Sequence, residues 1–190
     1  FLYQNPGQPV VGVPIVTALT QNTNAVVVGQ TATFGVTNLG IAPFTYQLRF
    51  NGTNLPGATG PTLTLNNVQT IQGGSYSVRI DNGLGFTTST NVSLTVLVPA
   101  FVTAQPTNVT VLAGGSATFA VTPGGTPPFS YQWRFNGTNL PAANSSTLTV
   151  PNAQFANAGD YSVLVVNPYG STVSSNAVLT VNSPPIITAQ

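Results

Sequence analysis

Tyr131-Gln132-Trp133-Arg134-Phe135-Asn136-Gly137-Thr138-Asn139-Leu140-Pro141 occurs a second time, 85 residues earlier and with Leu48 for Trp133, as Tyr46-Gln47-Leu48-Arg49-Phe50-Asn51-Gly52-Thr53-Asn54-Leu55-Pro56. Tyr131, Trp133 and Phe135 alternate with Gln132 and Arg134, the period-two pattern of a strand with one buried and one wet face. Asn136-Gly137 and Asn51-Gly52 follow at once and suit a tight hairpin turn. The same offset pairs Phe34 with Phe119, Tyr76 with Tyr161, Asn82 with Asn167, Gly85 with Gly170 and Val96 with Val181. A gapless repeat of this kind means that two units share one fold.

Further alternation surrounds the repeat. Ala32, Phe34 and Val36 alternate with Thr31, Thr33, Gly35 and Thr37; Tyr76, Val78 and Ile80 alternate with Ser75, Ser77, Arg79 and Asp81; Val92, Leu94 and Val96 alternate with Ser93 and Thr95. Gly, Pro and Asn clusters separate these segments, and no stretch reads as a helix of useful length. About seven short strands per unit predict an all-β chain of two tandem two-sheet antiparallel β-sandwiches.

The second unit reads Gly114-x-Ser116-Ala117-Thr118-Phe119-x-Val121, then Tyr131-x-Trp133-x-Phe135-Asn136-Gly137. It continues through Leu148-Thr149-Val150 to Asn157-Ala158-Gly159-Asp160-Tyr161-Ser162-Val163 and Asn167-x-x-Gly170. This resembles the intermediate-set immunoglobulin domain, in the cysteine-free form common in large secreted bacterial surface proteins. The resemblance covers nearly the whole chain, twice. It implies that Val121 and Val163, like Val36 and Val78, stand where a sheet-bridging disulfide would lie, forgoing roughly 2–4 kcal/mol of cross-link stabilisation. It implies that Trp133 is the core tryptophan, replaced by Leu48 in the first unit. Tyr76 and Tyr161 match a tyrosine corner, whose hydroxyl bonds to backbone upstream.

Composition narrows the function. Charged residues make up 3% of the chain, against roughly 25% in ordinary soluble proteins. They are Arg49, Arg79, Arg134, Asp81 and Asp160, for a net charge of +1. Such a charge cannot supply the phosphate contacts of a nucleic-acid binder. No apolar run approaches the roughly 20 residues of a membrane-spanning helix. Weak self-repulsion suits a protein that packs against copies of itself, and uncharged edge strands are unguarded against pairing. A unit of this size buries only about 60–65% of its unfolded surface, so neighbours would steady it.

Chemistry is hard to find. With no His, Cys, Lys or Glu, no nucleophile–base pair can be assembled. Asp81 and Asp160 are not repeat equivalents, so neither a catalytic carboxylate pair nor a calcium cage is expected. No enzyme activity, cofactor or metal is therefore expected. Asp160 reads as part of the turn before Tyr161. Arg79 and Asp81 share a strand face and can pair weakly. Arg49 and Arg134 hold equivalent outward positions, suited to a carboxylate or sugar acid and equally to simple solvation. Tyr3, Tyr169, Phe86 and Phe155 fall off the core pattern and form no stripe for sugars. Sequons stand at Asn51, Asn91, Asn108, Asn136 and Asn144, surface acceptors where the source glycosylates its proteins.

The repeat sets the organisation: an N-terminal extension or strand over 1–13, domains over 14–98 and 99–183, and residues 184–190 as the first strand of a further repeat or a donor strand. Pro184-Pro185-Ile186-Ile187-Thr188-Ala189-Gln190 matches Pro99-Ala100-Phe101-Val102-Thr103-Ala104-Gln105. The chain opens at Phe1 without a basic, then apolar, leader, so either a leader was removed or a longer protein surrounds it. Val10, Val11, Val13, Ile186 and Ile187 are the candidate assembly residues, through addition of a strand to a neighbour's sheet. Together these features lead to an extracellular structural module of a cell-surface filament, sheath or stalk, with copies of itself as partner. An adhesin or carbohydrate-binding module that meets surface glycans, or spacer domains of a larger secreted enzyme, are the alternatives.

Overall fold

The computed structural model describes residues 12–184. The chain divides into two compact units, Phe1–Leu97 and Val98–Gln190. In the first lie β1 (Ile15–Gln21), β2 (Ala25–Val27), β3 (Ala32–Leu39), β4 (Thr45–Phe50), β5 (Thr53–Asn54), β6 (Thr62–Leu65), β7 (Gly74–Asp81), β8 (Phe86–Thr88) and β9 (Val92–Leu97). In the second lie β10 (Phe101–Ala104), β11 (Val109–Leu112), β12 (Ala117–Ala120), β13 (Thr122–Gly124), β14 (Ser130–Phe135), β15 (Thr138–Asn139), β16 (Thr147–Val150), β17 (Gly159–Asn167), β18 (Gly170–Val173) and β19 (Ala177–Asn182).

Each unit is a sandwich. In the first, β1-β3-β6 faces β2-β9-β7-β4-β5, with β8 against β7. In the second the larger sheet repeats as β11-β19-β17-β14-β15, with β18 against β17, while the smaller face is built of the pairs β10–β13 and β12–β16. The pairing is antiparallel except that β2 runs parallel to β9 and β11 parallel to β19. There are more strands than the seven per unit read from the sequence, because the hairpin stubs β5 and β15 count separately, the last strand of each unit is interrupted, and the counterpart of β3 in the second unit is split into β12 and β13. At the interruption Ser89 N donates to Val78 O (2.9 Å) while Ser89 Oγ accepts from Val78 N (3.0 Å). A hydroxyl thus takes the place of a ladder carbonyl. Ser174 and Val163 repeat the device.

The hairpins fall where the Asn-Gly pairs predict. Asn51 and Gly52 have φ of 46° and 82°, and Asn136 and Gly137 of 45° and 81°, the doubly positive turn whose twist matches the strands. Asn51 Oδ1 accepts from Ser75 N and Asn136 Oδ1 from Asp160 N, both at 2.9 Å. Asp160 therefore lies within β17 rather than in the turn before it, and its Oδ2 accepts from Asn176 Nδ2 (3.0 Å).

Inward positions make the cores. Phe34 stacks on Tyr76 (centroids 4.3 Å) with Phe50 tilted beside them, and Phe119 stacks on Tyr161 (4.7 Å) with Phe135 in the matching place. Trp133 is fully buried and its Nε1 donates to Ser145 O (2.9 Å); Leu48 is buried at the same position of the first unit. Val121 and Val163 share the second core, and Val78 with the partly buried Val36 the first.

The tyrosine corners are closed. Tyr76 Oη donates to Gln72 O (2.8 Å) and Tyr161 Oη to Asn157 O (2.9 Å), each reaching a carbonyl of the short 3₁₀ turn ahead of it. Burial raises the pKa of both phenols. A raised folded value means that the neutral form contributes its full stability below the ordinary pKa near 10, and that this is lost as pH climbs through the folded value. Tyr161→Phe removes the bond, at a cost of about 1 kcal/mol. Melts from neutral to strongly alkaline pH check this: the variant starts lower and declines less. An unchanged midpoint with the wild-type alkaline slope would contradict it.

Candidate functional site

Three of the five charged side chains in the chain line one cavity of about 350 Å³ in the first unit. Sheet register brings them together. Thr45, Gln47 and Arg49 stand at alternate positions of β4, opposite Asp81, Arg79 and Ser77 of β7, while Asn54 of β5 pairs with Arg49 from the other side. Alternate residues share a face, so these side chains collect on one surface of the larger sheet.

Most of the groups are already held. Gln47 Nε2 donates to Leu48 O and Leu55 O, both at 2.8 Å, and Thr45 Oγ1 to Asp81 O (3.2 Å). Asp81 Oδ1 accepts from Gly83 N (2.8 Å), and Asp81 Oδ2 lies 3.4 Å from Arg79 Nη2. Both partners of that ion pair are substantially exposed, so it contributes little to stability. The Arg79 guanidinium also sits 4.0 Å over the Phe86 ring, a cation–π contact. Arg49 differs: its Nε is buried and has no hydrogen-bond partner among the described residues.

The second unit shows what is particular to the first. Arg134 also pairs in register with an asparagine, Asn139, but its Nε donates to Asn139 Oδ1 (3.0 Å). Leu164 and Val166 replace Arg79 and Asp81. The repeat keeps the arginine and discards the charged surroundings.

A second feature occurs in both units. Asn167 is buried; its Nδ2 donates to Val98 O and Thr126 O, both at 2.8 Å, and its Oδ1 accepts from Ala100 N (3.1 Å) and Tyr169 N (3.0 Å). Gly125, at φ 111°, has Pro99 O 2.6 Å from where a Cβ would stand, and Pro99 Cβ lies 2.9 Å from that point on Gly170. No side chain fits at either glycine without a shift. In the first unit Asn82 Nδ2 donates to Gly12 O and to Ile41 O (2.9 Å), while Gly40 and Gly85 close on Val13 in the same manner. Each unit thus has a socket that holds the segment leading into its first strand.

Of the candidate assembly residues, Val13 lies half-buried in a bend, inside this socket rather than on a strand. Val10, Val11, Ile186 and Ile187, and Tyr3, lie outside the described residues. Asn51, Asn91, Asn108, Asn136 and Asn144 are all exposed. Asn108 Oδ1 accepts from Val178 N (2.8 Å), a tie like those of Asn51 and Asn136. Phe86 and Phe155 are exposed, in different units, and Phe86 is engaged by Arg79. No described helix is long and apolar enough to cross a membrane.

Two sandwiches joined in tandem, each with a tyrosine corner and with its first short strand of the larger sheet parallel to the last, are immunoglobulin-like domains, and the chain is a tandem pair of them. The profile of the family described as "Immunoglobulin domain" matches residues 99–167. Endoglucanase C of Cellulomonas fimi is 32% identical over 192 residues, covering 95% of this chain and 17% of that protein. Cell adhesion molecule Dscam2 of Drosophila melanogaster is 32% identical over 135 residues, covering 67% of this chain and 6% of its own length. The chain therefore spans less than a fifth of either relative. The crystal structure of DIP-gamma IG1+IG2 superposes with a TM-score of 0.75 at 15% identity, over 88% of this chain and 97% of that one; this is a likeness of fold.

Proposed function

We propose that the chain is a non-catalytic structural module of an extracellular filament, sheath or stalk, joined head to tail with copies of itself. The repeated socket carries this reading. Asn82 with Gly40 and Gly85 holds Gly12–Pro14, and Asn167 with Gly125 and Gly170 holds Val98–Ala100. Residues 184–190 resemble 99–105, with Pro184, Thr188, Ala189 and Gln190 in common, so the first-unit socket of a copy would take them in exchange for its own Gly12–Pro14. The Ala100 N–H has no counterpart at Pro185, but the other contacts need only carbonyls and a proline. Near-absence of charge supports close approach of copies, and the missing His, Cys, Lys and Glu support a non-catalytic role.

A second reading has its own support. The names of two relatives, an endoglucanase and a cell adhesion molecule, favour a spacer beside a catalytic domain or an adhesive module, and the charged groove favours a module that binds, surface glycans among its candidate partners. Removal of residues 184–190 separates the readings. The full chain is expected to form polymers in sedimentation velocity, and the shortened chain to stay dispersed with an unchanged circular dichroism spectrum. Polymers that persist after removal contradict assembly through this segment.

A further inference from the structure

We propose that the groove between β4 and β7 of the first unit binds an acidic sugar, a uronate residue whose carboxylate pairs with Arg49. The inference goes beyond the structural reading and stands or falls separately from it. A buried guanidinium nitrogen without a partner is costly to leave so, and Arg49 Nε is in that state while the equivalent Arg134 Nε is satisfied by Asn139. Arg79 and Asp81 offset each other, which leaves Arg49 as the one uncompensated charge of the lining and one negative charge as its complement. A guanidinium fork suits a planar carboxylate, which it can engage through two parallel N–H donors.

The rest of the lining selects the class of molecule that bears the carboxylate. Apart from the tyrosine Tyr46, the side chains are hydroxyl, amide or charged: Thr45, Gln47, Asn54, Arg79 and Asp81. With no aliphatic side chain in the cavity, an apolar ligand group gains nothing by entering. A ring that carries hydroxyls finds donors and acceptors around it, and the cavity of about 350 Å³ admits one sugar ring with room to spare. Phe86 stands under Arg79 at the margin, where an extended saccharide would pass. The second unit, with Leu164 and Val166 opposite β14, lacks this polar lining and serves as an internal control.

The test is NMR titration of the full chain with glucuronate, and with glucose and acetate as controls. Glucuronate is expected to bind weakly, on the order of 1 mM, and to shift the amides of Thr45–Arg49 and Arg79–Asp81 while those of Ser130–Arg134 stay in place. Arg49→Gln is expected to weaken it at least about tenfold with the amide spectrum otherwise retained, and Arg134→Gln to leave it unchanged. Glucose binding as tightly would overturn the role of the carboxylate, and acetate binding as tightly would overturn the role of the sugar. No shift with glucuronate, or equal affinity in Arg49→Gln, would overturn the site itself.

Discussion

Trp133→Ala is expected to unfold the second unit under conditions where the wild type is folded. The indole is fully buried, packs against Phe119 at 6.2 Å between centroids, and anchors Ser145 O through Nε1. Truncating a buried aromatic to alanine costs about 3–5 kcal/mol, and here an accepting carbonyl loses its donor as well. A domain of this size has only about 5–15 kcal/mol in total. No disulfide limits the unfolded state, because the chain has no cysteine, and Val121 and Val163 meet in this core by apolar contact alone. The first unit has Leu48 at the matching position and loses nothing. Amide exchange reads the difference: protection collapses in β14 and β17 and persists in β4 and β7. Equal protection of β14 in variant and wild type would mean that the indole is not what fills this core.

Asn167→Asp is the second large effect, and its sign depends on pH. The wild-type amide gives two N–H donors to Val98 O and Thr126 O in a buried place. A carboxylate there faces two carbonyl oxygens with nothing to donate, and burial disfavours its charge. A loss of about 3 kcal/mol at neutral pH follows from the unpaired groups and the buried charge. The new carboxyl would have a folded pKa above its unfolded value. The neutral acid therefore restores one donor at low pH, and that stability disappears as pH rises through the folded pKa. Denaturant melts at acid and neutral pH are expected to converge with wild type only on the acid side. A pH-independent difference, or none at all, would show that Asn167 does not hold Val98–Ala100 as described.

The sandwich was legible because its signals are local or periodic. Tyr131, Trp133 and Phe135 alternate, Asn136-Gly137 turns, and the repeat applies the same reading to both units. Tyr76 and Tyr161 were legible through the resemblance, since a tyrosine corner closes on a carbonyl four residues upstream. Asn82 and Asn167 were visible as repeat equivalents, and Asn167 also in the motif Asn167-x-x-Gly170, but not as sockets, because their partners are backbone groups with no sequence identity to betray them. The groove was hidden for another reason: Arg49 and Arg79 are far apart in the chain, and only the register Thr45↔Asp81 puts them on one surface. Its signal was the placing of three of so few charges on outward positions of two strands that the resemblance makes neighbours. Arg49 and Arg134 sit in matching sequence, yet one is satisfied and the other is not. That difference depends on side-chain placement, which alternation does not encode.

The head-to-tail account is tested most directly by electron microscopy of negatively stained protein taken from its natural source without refolding. Ordered filaments with a regular axial repeat are the expected result. Isolated particles alone, at every concentration examined, would contradict it and favour a module that binds or spaces rather than one that builds.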